Sequence, residues 1–110
     1  MPTIDLEALT GEGRVQNLSG RLRGLAAREL FQVDALDHED APVEVRVPDY
    51  VYSLTPSFFQ GLFGRSVQTF GQSEASFRRH FHFVAPAIVL QQIEQGLSAA
   101  LTSRNLGDVN

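Results

Sequence analysis

Val43-Glu44-Val45-Arg46-Val47, closed off by Pro42 and Pro48, is the clearest strand in the chain. Its valines fall on every second residue with charges between them, the period of a strand that is dry on one face and wet on the other. Two other segments alternate in the same way. Thr3 to Leu9 sets Ile4 and Leu6 against Asp5 and Glu7, and His80-Phe81-His82-Phe83-Val84 sets Phe81 and Phe83 against His80 and His82. A parallel sheet covered on both faces needs near-continuous apolar runs instead. Alternation in all three strands therefore predicts a sheet with one apolar and one polar face.

Helical patterns lie between these strands. Tyr50-Val51-Tyr52-Ser53-Leu54 reads as a short extended piece, and Thr55-Pro56-Ser57-Phe58-Phe59-Gln60-Gly61-Leu62-Phe63-Gly64 then opens a helix. Thr55 is a good N-cap, and Pro56 fits the first helical position, where a missing N–H costs nothing. Phe59, Leu62, Phe63, Val67 and Phe70 recur at helical spacing, and Gly71 is placed to end the helix.

Upstream, Gly11-Glu12-Gly13 breaks the first strand, and the missing third glycine of a dinucleotide loop makes it a turn. Asn17 is predicted to cap a helix that buries Leu18, Leu22, Leu25, Ala26 and Leu30 and exposes Arg21 and Arg28. Phe31 falls off that face, to pack at the helix end or stay exposed. Asp34 to Asp40 and Gln72 to Ser76 read as loops. A last helix begins at Pro86 with Val89, Ile93, Leu97 and Ala100 on one stripe. The order is β-α-β-α-β-α, which implies a mainly parallel sheet. We expect an α/β fold: one two-layer sandwich domain over residues 1–105, helices packed on one face, and a frayed tail over 106–110.

Composition narrows the function classes. The net charge of −4 argues against binding a phosphate backbone, and nucleic acid is not an expected partner. The absence of cysteine removes disulfides, thiolate chemistry and Cys-ligated zinc. The first residues lack the charged and apolar regions of a signal peptide. The longest apolar run, Phe83 to Leu90, is far short of a membrane span, so a cytoplasmic location off the membrane is expected.

Val43–Val47, then Thr55-Pro56-Ser57-Phe58, then Leu62-Phe63-Gly64 together resemble the STAS-like family of small bacterial domains, relatives of anti-sigma-factor antagonists. About twenty residues carry the motif, and the flanking β-α units extend the likeness over most of residues 3–102. The resemblance implies a signalling module, acting in transcriptional control, that binds an ATP-using partner of the anti-sigma, histidine-kinase-like type. It also implies that Ser57 is the phosphorylated serine. Antagonists carry a small residue after that serine, where this chain has Phe58, and an Asp at the preceding strand end, where it has Val47 with Asp49 beyond.

Physical chemistry bears on the same turn. A phosphate on Ser57 would meet unpartnered N–H groups and the positive end of a helix dipole, although a plain capping serine fits equally well. Phe58 lies at the edge of the buried arc, either as core or as an exposed anchor. Gly61 and Gly64 fall on the polar face with Gln60 and Gln68, smooth enough to let another backbone approach. Thr55, Ser57, Phe58, Gly61 and Gly64 are therefore the candidate partner-binding residues. His80 and His82 share one strand face at i, i+2, but no third ligand accompanies them, so neither a metal nor a cofactor is expected. Ser57 lacks the strained Gly-x-Ser-x-Gly elbow of a hydrolase, so no catalytic residue is assigned. The expected function is a non-enzymatic protein-interaction module; the alternative is an assembly subunit that self-associates, as a homodimer for example.

Overall fold

In the computed structural model, which describes residues 2–102, three parallel strands form the main sheet. They are β1 (Thr3–Asp5), β3 (Val43–Arg46) and β5 (Phe81–Val84), in that spatial order. A two-residue parallel pair, β2 (Asn17–Leu18) with β4 (Ser53–Leu54), lies apart from it. Between the strands run a 3-10 turn (Leu6–Leu9) and four helices, α1 (Arg21–Leu30), α2 (Val33–Leu36), α3 (Pro56–Thr69) and α4 (Glu74–His80), and α5 (Ala87–Thr102) follows β5.

The register shows why the strands alternate. Ile4, Val45 and Phe83 form one cross-strand row, and Val43 pairs with Phe81. These side chains point inward, against α3 and α4: the Phe63 ring lies 5.0 Å from Phe81 and 5.8 Å from Phe77, centroid to centroid. Thr3, Glu44 and His82 form the next row and Asp5, Arg46 and Val84 the one after, on the face that carries no helix. Arg46 and Glu44 pair there at 2.7 Å. The polar face is open to water, as the alternation predicts.

Several predicted element ends hold. Thr55 Oγ1 accepts from the Phe58 amide at 3.3 Å with Pro56 in the first helical position. At the other end of α3, Gly71 (φ +70°) donates to Gln68 O at 2.9 Å and Gln72 to Val67 O at 3.0 Å, the paired bonds of a Schellman cap. Val89, Ile93, Leu97 and Ala100 of α5 are all buried, and Phe31 packs partly buried at the end of α1. The predicted tail, 106–110, lies outside the described residues.

Other expectations are corrected. Leu6–Leu9 leaves the strand because Asp5 Oδ1 accepts from the Glu7 amide at 3.0 Å, a local bond that competes with the ladder. Asn17 does not cap α1; it pairs with Ser53, and the helix starts four residues later, after Gly20 at φ +91°. Asp34–Asp40 is not all solvated loop, since α2 overlaps it and Asp37 is buried. The 72–76 loop gives way to α4, capped by Ser73 Oγ on the Ser76 amide at 3.2 Å. That helix takes His80 out of the strand.

The largest correction is to α1. Leu22 and Leu30, assigned to the core, are 81% and 61% exposed, while Gly24, Ala27 and Arg28 face inward. The helix is packed with its leucines outside.

Candidate functional site

Two features of α1 set its unusual orientation. A Cβ on Gly24 would stand 2.2 Å from Phe58 O, and one on Gly61 would stand 2.2 Å from Arg21 O. The two glycines thus let the backbones of α1 and α3 touch, an approach that a side chain at either position would block. The second feature is Arg28, one turn further along the same face and only 5% exposed. Its Nη1 donates to Leu62 O and Ser66 Oγ, both at 2.9 Å. Its Nη2 lies 2.6 Å from Asp37 Oδ2, and Nε donates to Asp34 Oδ1 at 2.8 Å. Ser66 Oγ in turn donates to Asp37 Oδ1 at 2.6 Å. A buried guanidinium is tolerable only when its donors are met this fully.

Asp34 is the exposed member of that network. The hydrogen bond from Arg28, helped by the charge of the guanidinium, holds its carboxyl below the usual value of 3.8.

With Gly24 and Arg28 pulled inward, the opposite side of α1 presents Leu22, Ala26 and Leu30 to solvent at i, i+4 and i+8. Beside this stripe runs a groove of about 520 Å³ between α1 and the preceding segment. Leu9, Val15, Leu18, Ala27 and Phe58 line it, and Arg23 stands on its rim. Apolar side chains left out of the core in such a line mark a contact surface more often than scattered single leucines do.

The turn at Thr55–Ser57 lies near the start of α1, because Thr55 Oγ1 also accepts from the Gly20 amide at 3.4 Å. Ser57 is exposed, with Oγ 3.1 Å from Thr55 Oγ1. The other candidate partner-binding residues are placed differently. Phe58 is 1% exposed and belongs to the core. Gly61 is buried against Gly24, so the backbone that approaches it belongs to this chain, not to a partner. Gly64 is half-buried, with only Gln60 Oε1 near a would-be Cβ, at 3.6 Å. Of the five residues, the turn residues Thr55 and Ser57 remain together at the surface side of the α1–α3 junction, while Phe58 and Gly61 serve as packing.

The histidines do not meet. His80 is buried at the end of α4 with Nε2 2.7 Å from Leu36 O, whereas His82 is exposed with Nε2 3.1 Å from Arg79 O. Neither bonds to Ser57. Among the described residues no group of three or more His, Asp or Glu side chains is arranged to hold a metal ion. Nor, among them, is any helix long and apolar enough to cross a membrane.

What sequence reasoning missed is the outward stripe. Its signal was available in Gly24, Ala27 and Arg28, which give α1 a second face that is small and carries one cation. No family model, curated protein or solved structure matches the chain.

Proposed function

We propose that the chain is a non-enzymatic protein-interaction module whose contact surface is the outward face of α1 together with the Thr55–Ser57 turn. One observation carries this reading: Leu22, Ala26 and Leu30 form an exposed apolar line on a helix held from behind by Gly24 and Arg28. Leaving two leucines in water forgoes roughly 1.5–3 kcal/mol of burial each, a cost that a partner surface would recover. The layout, a parallel sheet with helices and an exposed serine in the first turn of α3, is compatible with the STAS-like resemblance. On that resemblance the partner is an ATP-using kinase of the anti-sigma type, Ser57 is its phosphorylation site, and the setting is bacterial signalling in the cytoplasm. A phosphate on Ser57 would sit at the positive end of the α3 dipole, beside the start of α1.

The second reading, a self-associating subunit, uses the same stripe with another copy as its cover. Affinity capture from the source cell, with wild type beside Leu22→Glu/Leu30→Glu, tests the proposal. The wild type should retain a protein that the folded variant loses. Identical recovery by both would end the reading. Serine-directed fluorophosphonate probes should leave the chain unlabelled; stoichiometric labelling at Ser57 would replace the module with a hydrolase.

A further inference from the structure

The groove beside α1 has a charge pattern as well as an apolar floor. All nine basic residues of the sequence are arginines, in a chain of net charge −4. Arg23 stands on the groove rim, and Arg14 adjoins the lining residue Val15; both are exposed. Neither takes part in an ion pair among the described residues, although Arg28, Arg46, Arg65 and Arg78 all do. No Asp or Glu lines the groove. The acid nearest in sequence on α1, Glu29, falls on the other flank of the Leu22–Ala26–Leu30 stripe, about 120° around the helix from Arg23 at 100° per residue. It borders the separate hollow that holds Leu25 and Asp34.

We infer that this groove takes an amphipathic helical segment of a partner protein, with an apolar seam along Leu22, Ala26 and Leu30 and acidic side chains toward Arg14 and Arg23. The inference rests on the interaction-module reading and names the partner's chemistry. An apolar floor suits a helix presenting residues at i, i+3, i+4 and i+7. The unpaired guanidinium of Arg23 at the groove, with exposed Arg14 next in sequence to the lining residue Val15, then selects the sign of charge that flanks the seam, since like charge there is repelled and carboxylates can be held by two parallel bonds. Free aliphatic peptide alone would leave both arginines as they are, so the acidic flank is the distinguishing element.

The test uses the full chain and three designed helical peptides sharing one Leu-rich seam, flanked by Glu, by Gln or by Lys. Binding is followed by fluorescence anisotropy at low and at high salt. The Glu-flanked peptide should bind at least about tenfold tighter than the Lys-flanked one at low salt, with the gap narrowing as salt rises. Arg14→Glu/Arg23→Glu should reverse that order; circular dichroism checks that the variant folds. Equal binding of all three peptides, or preference for Lys, would overturn the acidic flank while leaving the capture experiment free to support the module. Binding of none would overturn the inference outright. So would sedimentation showing a dimer that Leu22→Glu dissociates, because the occupant would then be a second copy.

Discussion

Gly24 of α1 and Gly61 of α3 face each other so closely that a methyl group on either would stand 2.2 Å from a backbone oxygen of the facing helix. This contact turns α1 over, placing its glycine and arginine inside and its leucines outside. The functional reading follows from that single reversal.

Gly24→Ala should destabilise the fold by about 1–3 kcal/mol, because the obstacle is a carbonyl oxygen on a packed helix rather than a movable side chain. Gly64→Ala is the matched control. Its new methyl meets only the end of Gln60 at 3.6 Å, so the variant should gain about 0.5–1 kcal/mol from helix propensity. Urea unfolding of both decides the point; equal effects would mean the helices do not touch at Gly24.

Arg28→Ala should cost about 3–5 kcal/mol, since it strands the buried Asp37 carboxylate and Ser66 hydroxyl without their cation. Against a total stability of about 5–15 kcal/mol, that loss is visible in any melt. A change below about 1 kcal/mol would show that the network is not closed in solution.

Much of the fold can be read from particular residues. Thr55-Pro56 and Gly71 bound α3 because caps and C′ glycines act within a few residues of themselves. The three strands declare one wet face because side-chain alternation is local too. The face of α1 is not local. Leu22 and Leu30 look like core until Gly24 meets Gly61 and Arg28 meets Asp37 and Ser66, partners that only the folded chain supplies. Gly61 enters the candidate site for the same reason, since a smooth glycine face looks alike whether a partner or the chain's own helix covers it, and Phe58, at the edge of the buried arc, is settled as core only by the packing of the folded chain. For α4 the signals were present, with Ser73 before Glu74 and Arg78-Arg79-His80 in the last turn, but the alternation of His80 to Val84 masked them.

Acid should weaken the Asp34–Arg28 bond. The folded carboxyl titrates below its unfolded value of 3.8, so its contribution is present above that value and is lost as pH falls through the lower, folded one. Wild type should exceed Asp34→Asn in stability by a constant margin above about pH 5, with the margin shrinking below pH 3.8. Chemical denaturation at a series of pH values reads this directly. A margin that grows on acidification would contradict the sign.

Ser57→Asp should leave the fold intact, because a charge in the first turn of α3 is favoured by about 0.3–1 kcal/mol. The hydroxyl's bond to Thr55 Oγ1 is exposed and easily replaced by water. Binding of a partner that reads the unmodified serine should fall, since the new carboxylate would have to be desolvated. A loss of stability above about 1 kcal/mol would make Ser57 a structural residue of the cap.

The orientation of α1 is tested most directly by urea unfolding of Leu22→Glu/Leu30→Glu. Side chains already in water can be exchanged for charges within about 0.5 kcal/mol each, so the midpoint and slope should match wild type. If the two leucines were core, burying two unpaired carboxylates would unfold the domain or cost several kcal/mol, and α1 would have no outward surface to offer.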